Sequence, residues 1–102
     1  MAFSPRKNIT SALIQDLVSA GDGVRVNSVN IANVHSSNAI SVDLFVHNCG
    51  TDTYIFKNLS IPTGTSYYME LNGFKIDTKT NGDSLRLKCS SSDGIDVFVN
   101  TY

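Results

Sequence analysis

The stretch Ile95-Asp96-Val97-Phe98-Val99-Asn100-Thr101, close to the end of the chain, sets an aliphatic side chain at 95, 97 and 99. Alternation of period two over four to eight residues predicts a β-strand with one face on a hydrophobic core. The same period recurs in three other runs, at 42–46, 67–71 and 84–90. No long segment of the sequence has helical spacing. The sequence therefore predicts an all-β fold.

Turn-forming pairs separate these runs, and Asn72-Gly73 is the best candidate for a two-residue hairpin turn. Short strands at this spacing are typical of a sandwich or barrel. We predict a single β-sandwich of about eight short antiparallel strands, jelly-roll or Ig-like, over residues 11–102, after an N-terminal arm at 1–10. The expected strands are 11–18, 23–34, 39–47, 52–61, 66–71, 74–77, 84–90 and 95–101. The first is ambiguous, because the apolar residues between 9 and 18 could also form one face of a helix.

Two expected strands change phase part-way along. In the second strand, valines at 24 and 26 are followed by apolar residues at 29 and 31. One extra residue near Asn27-Ser28 restores the alternation, which is the effect of a β-bulge. A strand that passes from one sheet to the other leaves the same pattern. The fourth strand shifts in the same way between Phe56 and Leu59.

Length and charge exclude several classes of function. The chain has 102 residues and a mass of 11.1 kDa, which corresponds to one domain. Eight Lys and Arg residues against nine Asp and Glu residues leave a formal net charge of −1, without the basic stripe that nucleic acid requires. No run approaches the ~20 apolar residues that span a bilayer, and no secretory signal follows Arg6 and Lys7. We expect cytosolic synthesis and neither a nucleic-acid nor a membrane partner.

Residues able to carry chemistry are sparse. Two reduced thiols are the default for Cys49 and Cys89 in a cytosolic product, with a bridge between them as the alternative. A zinc site could draw on His47 and both cysteines, with Asp43 or Asp52, but the chain lacks a paired Cys-X-X-Cys. It also lacks a Gly-X-Ser-X-Gly elbow and a calcium loop with dense alternating acids. The prediction is a protein that is not an enzyme and has no cofactor or metal.

Aromatic side chains give the more useful clue. If the even-numbered face of the last strand points away from the core, Phe98 is exposed in the monomer, and the same holds for Phe45 and Tyr68. Exposed apolar area marks contact sites between proteins. Alternatively, the faces are inverted, or the sandwich is covered on both sides there. The candidate interface residues are Arg6, Lys7, Phe45, Tyr68, Phe98 and Tyr102. A third interpretation is carbohydrate binding by exposed tyrosines, although the chain has no Trp.

Three segments have a shared style of strand and turn, namely Ile61-Pro62-Thr63-Gly64-Thr65, Gly82-Asp83-Ser84-Leu85 and Gly94-Ile95-Asp96-Val97. Together with the strand that ends at Ala32-Asn33, they resemble the small β-sandwich virion proteins of tailed bacteriophages. The resemblance covers residues 24–102 and involves no catalytic signature. The two cysteines and the start of the chain fall outside the shared pattern.

The resemblance implies a structural role in a virion, as a capsid decoration protein on the head exterior. A neck, tail or fibre component, or a carbohydrate- or receptor-binding module, is the alternative. The implied partners are other virion proteins, such as the major capsid protein or connector and tail proteins, and further copies of the chain in a homo-oligomer. The expected location is the virion, after synthesis in the host cytoplasm. No catalytic residues follow from the resemblance.

Overall fold

The computed structural model describes residues 6–9, 12–35, 37–90 and 94–102. These residues form eight strands in two antiparallel sheets of four, which confirms the predicted all-β sandwich. The first sheet has the order β1-β8-β3-β6 and the second β2-β7-β4-β5. The strands are β1 (Arg6–Ile9), β2 (Gln15–Val18), β3 (Val26–Asn33), β4 (Ile40–Asn48), β5 (Thr51–Ile61), β6 (Ser66–Glu70), β7 (Ser84–Cys89) and β8 (Ile95–Thr101).

The pairing of these strands decides between the two sandwich types that the sequence left open. Strand β1 pairs with β8, β2 with β7, β3 with β6, and β4 with β5, and the pairs alternate between the two sheets. This is the pattern of one long hairpin rolled up on itself, which is a jelly roll. An Ig-like sandwich distributes its strands differently between its sheets. The fold is therefore a jelly roll.

The hydrophobic core lies between the two sheets and consists of the alternating positions that the sequence singled out. Val97 and Val99 of β8 belong to the same core cluster as Leu44 of β4 and Leu85 and Leu87 of β7, and all five are at most 2% exposed. Burial of such a side chain stabilises the fold by about 1.5–3 kcal/mol. Because β3 and β8 lie in the middle of the first sheet, the side chains on their other face point away from this core.

Both phase shifts are β-bulges within one sheet. Neither marks a strand that passes from one sheet to the other. The register of β3 against β8 shifts between Val26 and Ser28. The register of β4 against β5 shifts between Val42 and Leu44, opposite Asn58, whose φ is +58°. The carboxylate of Asp43 accepts a hydrogen bond of 2.7 Å from the Asn58 backbone N–H and thereby holds the bulge.

Two local predictions were wrong. Residues 74–77 form no strand, and Asn72-Gly73 belongs to a short 3₁₀ turn, Asn72–Phe74, rather than to a hairpin. Lys75 follows with φ +56°, so the chain turns away before a strand can start. The two-residue hairpin turn is instead at Cys49-Gly50, where both residues have positive φ.

The N-terminal boundaries also differ from the prediction. Of the expected strand 11–18, only Gln15–Val18 is formed as β2, and Leu13 and Ile14 before it are exposed. Within the predicted arm, Arg6–Ile9 is a strand paired with β8, because Ile9 opposes Ile95 and is buried. These four residues are part of the sandwich. The rest of the predicted arm, residues 1–5 and 10, lies outside the described part of the chain.

Candidate interaction surface

Three of the predicted interface residues meet in one row on the outer side of the first sheet. The register sets Arg6 of β1 beside Phe98 of β8, Phe98 beside Asn30 of β3, and Asn30 beside Tyr68 of β6. This row, which we call the aromatic row, crosses all four strands. The ring of Phe98 is 47% exposed and that of Tyr68 is 57% exposed, and Arg6 is exposed as well. We call the outer side of this sheet the open face; its residues are Arg6, Asn8, Ser28, Asn30, Ala32, Ser66, Tyr68, Glu70, Asp96, Phe98 and Asn100.

The rows on either side of the aromatic row are small and polar. The amide of Asn100 donates a hydrogen bond of 2.7 Å to the hydroxyl of Ser28, and the Asn8 amide donates one to the carboxylate of Asp96. Two charges remain at the edges of the face, Arg6 on β1 and Glu70 on β6. Among the described residues neither has an ion-pair partner. The open face therefore carries one positive and two negative side chains, Arg6 and Glu70 on its two edges and Asp96 on the inner strand β8.

The centre of the open face lines no cavity. Phe98, Asn30 and Tyr68 line none of the five cavities found among the described residues, and only Ala32 and Ser66, at one end of the face, border one of them. Small-molecule sites are usually concave, whereas protein interfaces are enriched in Tyr, Phe and Arg and can be flat. The shape and composition of this face fit contact with a protein.

Phe45, predicted to be exposed, is buried at 1%. Its side chain does point outward, beside Arg86 of β7 and Tyr54 of β5 on the outer side of the second sheet. The ring of Tyr54 covers it, with 4.9 Å between the ring centroids, and the ammonium of Lys57 lies 4.6 Å from the Tyr54 ring centroid. The prediction of an exposed Phe45 is wrong because its cross-strand neighbour Tyr54 covers the ring. The alternative, that the sandwich is covered on both sides at this point, is the one observed.

Ion pairs and charged hydrogen bonds occupy the rest of this outer side, which we call the paired face; its residues are Asp16, Asp43, Phe45, His47, Asp52, Tyr54, Lys57, Arg86 and Lys88. The guanidinium of Arg86 lies 2.6 Å from the Asp16 carboxylate. Asp43 lies 3.6 Å from the ammonium of Lys57. Nδ1 of His47 lies 2.6 Å from the carboxylate of Asp52. The paired face thus satisfies most of its charge within the monomer.

The remaining candidates lie apart from the aromatic row. Lys7 opposes Val97, so it sits on the other side of β1 from Arg6, although it is exposed at the edge. Tyr102 is 59% exposed and lines a cavity of about 270 Å³ at the end of the sandwich, together with Arg25 and Asp77. The structure therefore brings Arg6, Tyr68 and Phe98 together and leaves Lys7, Phe45 and Tyr102 in three other places.

Asp77 orders the loop beside that cavity. Its carboxylate accepts hydrogen bonds from the backbone N–H groups of Lys79 and Thr80, at 2.9 and 3.0 Å, and lies 3.3 Å from Arg25. The Thr80 N–H, followed by the Lys79 N–H and Arg25, lowers the pKa of Asp77 below its ordinary value of 3.8. The stabilisation that this carboxylate contributes is present above that value and is lost as the pH falls through the lower, folded-state pKa.

Residues that could have carried chemistry are separated in space. Cys49 is exposed at the tip of the β4–β5 hairpin, Cys89 is buried, and no disulfide joins the two. The described residues contain no group of three or more His, Cys, Asp and Glu side chains able to hold a metal ion. Asp83 accepts hydrogen bonds from the Asp77 N–H and the Asn48 amide, so its role is structural. No described helix is long and apolar enough to cross a membrane.

Comparison with solved structures finds chains of similar shape at low sequence identity. Among solved structures, an infectious bursal disease virus Gx strain chain is 12% identical, with a TM-score of 0.46, over 98% of this chain and 30% of that one. The nucleoplasmin-like N-terminal domain of Drosophila FKBP39 is 8% identical, with a TM-score of 0.45, over 99% of this chain and 88% of that one. The mitogen of Yersinia pseudotuberculosis is 13% identical, with a TM-score of 0.41, over 99% and 84%.

The chain spans about a third of the length of the virus chains that it matches. No protein-family model and no curated protein matches the sequence. All the TM-scores given are below 0.5, and the function proposed below rests on none of these likenesses.

The aromatic row was only half visible in the sequence. Alternation indicated that Tyr68 and Phe98 point outward if the other face of each strand is the buried one, but Asn30 and Glu70 carry no signal of their own. Their place in the row depends on which strands are neighbours and in what register. A sequence pattern of period two specifies neither which strands are neighbours nor their register.

Proposed function

We propose that this protein is a non-enzymatic structural component of a tailed-phage virion, and that it serves as a capsid decoration protein on the exterior of the head. The observation that carries the proposal is the open face. No other described element of the chain covers it, and it exposes two aromatic rings in register with Arg6. Such a face is suited to contact with other proteins in an assembly.

Two further arguments support this role. The sequence over residues 24–102 resembles the small sandwich proteins of tailed-phage virions. The jelly roll is also a fold of viral capsid domains, although it serves lectins and other proteins too, so this argument is one of analogy. The expected partners are the major capsid protein or connector and tail proteins, together with further copies of the chain. The expected location is the virion, after synthesis in the host cytoplasm.

The direct test is to purify the particles made by the virus that encodes this chain, and to detect the chain in them by mass spectrometry. Immunogold labelling then places it on the particle. Gold over the head surface supports a decoration protein, whereas gold at the neck or tail supports the alternative placement. Particles that lack the chain, although infected cells contain it, would contradict a structural role.

A carbohydrate- or receptor-binding module is the second candidate. The observation in its favour is that Asn30 lies between the rings of Tyr68 and Phe98, because an amide between two aromatic rings can bind a sugar. Against it, Asn30, Tyr68 and Phe98 line none of the cavities found among the described residues, whereas small-molecule sites are usually concave. A glycan array probed with the wild type and with Tyr68→Ala decides. Binding that is lost in a folded Tyr68→Ala variant would favour the module, and no binding favours the structural role.

A further inference from the structure

We propose that the open face pairs with the open face of a second copy of the chain, about a two-fold axis parallel to the strands. The proposal deepens the structural role proposed above and rests on it for its biological setting. It names the occupant of the face, and it follows from where the charges stand on the sheet.

The two charges on the edges of the open face are arranged to complement each other, whereas Asp96 lies on the inner strand β8. Arg6 lies on edge strand β1, and Glu70 lies on the opposite edge strand, β6. A two-fold axis that runs parallel to the strands, between β8 and β3, sets β1 of one copy over β6 of the other. Arg6 then faces the partner's Tyr68, with the partner's Glu70 two residues further along β6. The contact occurs twice in the pair, as in every isologous interface.

The alternative two-fold axis, perpendicular to the strands along the aromatic row, has no such complementarity. It would set each strand over its own copy, so Arg6 would face Arg6 and Tyr68 would face Tyr68. Like charges at such a contact oppose association. The distribution of charge therefore favours the parallel axis, which also sets Phe98 of each copy over the partner's Asn30.

The size of the face sets the strength of the pair. Four strands at about 4.8 Å and five residues at about 3.4 Å give a flat area of roughly 320 Å² per copy. A standard stable interface buries about 800 Å² per partner. The face is smaller than this, so we expect a weak pair for the free protein; because area alone does not fix affinity, a dissociation constant on the order of 0.1 mM is the working figure for the test. Copies held side by side on one particle reach millimolar effective concentrations, at which the pair forms.

The test is a charge exchange followed by sedimentation equilibrium up to about 1 mM protein, with reductant present because the Cys49 thiol is exposed. The variants are Arg6→Glu, Glu70→Arg and the double variant. Lys79→Glu is the matched control, because it makes the same charge change on an exposed loop away from the open face. Thermal unfolding checks that each variant is folded.

Each single reversal is expected to weaken the pair about tenfold, since it turns two attractive contacts into repulsive ones. The double variant is expected to return to within about threefold of the wild type, and Lys79→Glu to change little. A wild type that stays monomeric at 1 mM would overturn the proposal. So would single reversals without effect, or a double variant that fails to recover.

A second pair of variants covers the case in which a reversal unfolds the chain. Phe98→Ala is expected to weaken the pair, whereas Phe74→Ala is not, because Phe74 is similarly exposed but lies outside the open face. Equal dissociation constants for the two variants would contradict the proposal. If the face instead binds another virion protein, Phe98→Ala lowers incorporation into particles while the free chain stays monomeric. Detection of the chain in virions tests the proposed function separately from this pairing.

Discussion

On the paired face, Arg86 meets Asp16, Lys57 meets Asp43, and Tyr54 covers Phe45. On the open face, Phe98 and Tyr68 are exposed, and Arg6 and Glu70 stand on opposite edges. Both faces belong to four-stranded sheets that pack on the same core, and neither is covered by another described element of the chain. The difference therefore lies in the side chains alone. On the paired face the charged and aromatic side chains contact each other within the monomer. On the open face the aromatic rings and the edge charges remain available to a partner.

The largest effect that separates the two faces is expected from removing an aromatic ring from each. Phe45→Ala is expected to lower the free energy of unfolding by about 3 kcal/mol, because the ring is fully buried under Tyr54. Phe98→Ala is expected to lower it by less than about 0.5 kcal/mol, because the ring is half exposed. Urea unfolding at low micromolar protein, where the chain is monomeric, measures both. Similar losses for the two variants would mean that the open face is also a folding surface.

The second effect concerns the cover of Phe45. Tyr54→Ala removes the ring that caps Phe45 and also the aromatic face under the Lys57 ammonium. The expected loss is about 1.5 kcal/mol, as for an aromatic pair with an added cation–π contact. Tyr68→Ala is the matched control on the open face and should cost less than about 0.5 kcal/mol. If Tyr54→Ala costs no more than this control, Phe45 is protected by Arg86 rather than by Tyr54.

The third effect is the coupling energy of a charge pair on the paired face. A double-mutant cycle with Arg86→Met and Asp16→Asn is expected to give about 0.5–1 kcal/mol, the range for partly exposed pairs. Raising the salt concentration should reduce this coupling. The same cycle with Arg6→Met and Glu70→Gln should give a coupling energy close to zero in the monomer. A sizeable coupling in that second cycle would mean that the open face also pairs its charges within one chain.

The strands that form the open and paired faces could be predicted from the sequence, because the alternation of apolar and polar residues is a local signal. The alternation at 95–101 predicted a half-buried strand with Val97 and Val99 on one face and Phe98 on the other, and the structure shows that the valines are on the buried face. The phase shift at Asn27-Ser28 predicted a bulge or a change of sheet, and the structure shows the bulge. The roll of the chain could not be predicted in this way. The pairing of Arg6 with Phe98 joins residues from opposite ends of the sequence, and the cost of closing such a loop says nothing about which strands meet.

The errors have the same origin. The outward direction of Phe45 is a local property, whereas its burial depends on Tyr54, which a bulged β5 places over it. Asn72-Gly73 has ideal hairpin residues, but the flanking 71–83 segment is held by side chains such as Asp77 and Asp83 rather than by a sheet. The interface role of Arg6, Tyr68 and Phe98 is still a prediction, since it depends on a second molecule.

The smallest effect expected here tests the turn that sets the register of the paired face. Cys49 has φ +53° and is followed by Gly50 with φ +79°, so the β4–β5 hairpin has a tight turn in which Asn-Gly is the preferred pair. Cys49→Asn should therefore raise the free energy of unfolding by about 0.5 kcal/mol, because Asn adopts positive φ more readily than Cys. Cys49→Ala is the control and should bring no gain, since Ala has the same difficulty. Because the turn connects β4 and β5, Cys49→Asn should stabilise the strand register that sets Tyr54 over Phe45. It should leave self-association in reductant unchanged. A gain in stability that is equal for Asn and Ala would show that removal of the exposed thiol, and not the backbone conformation, is responsible.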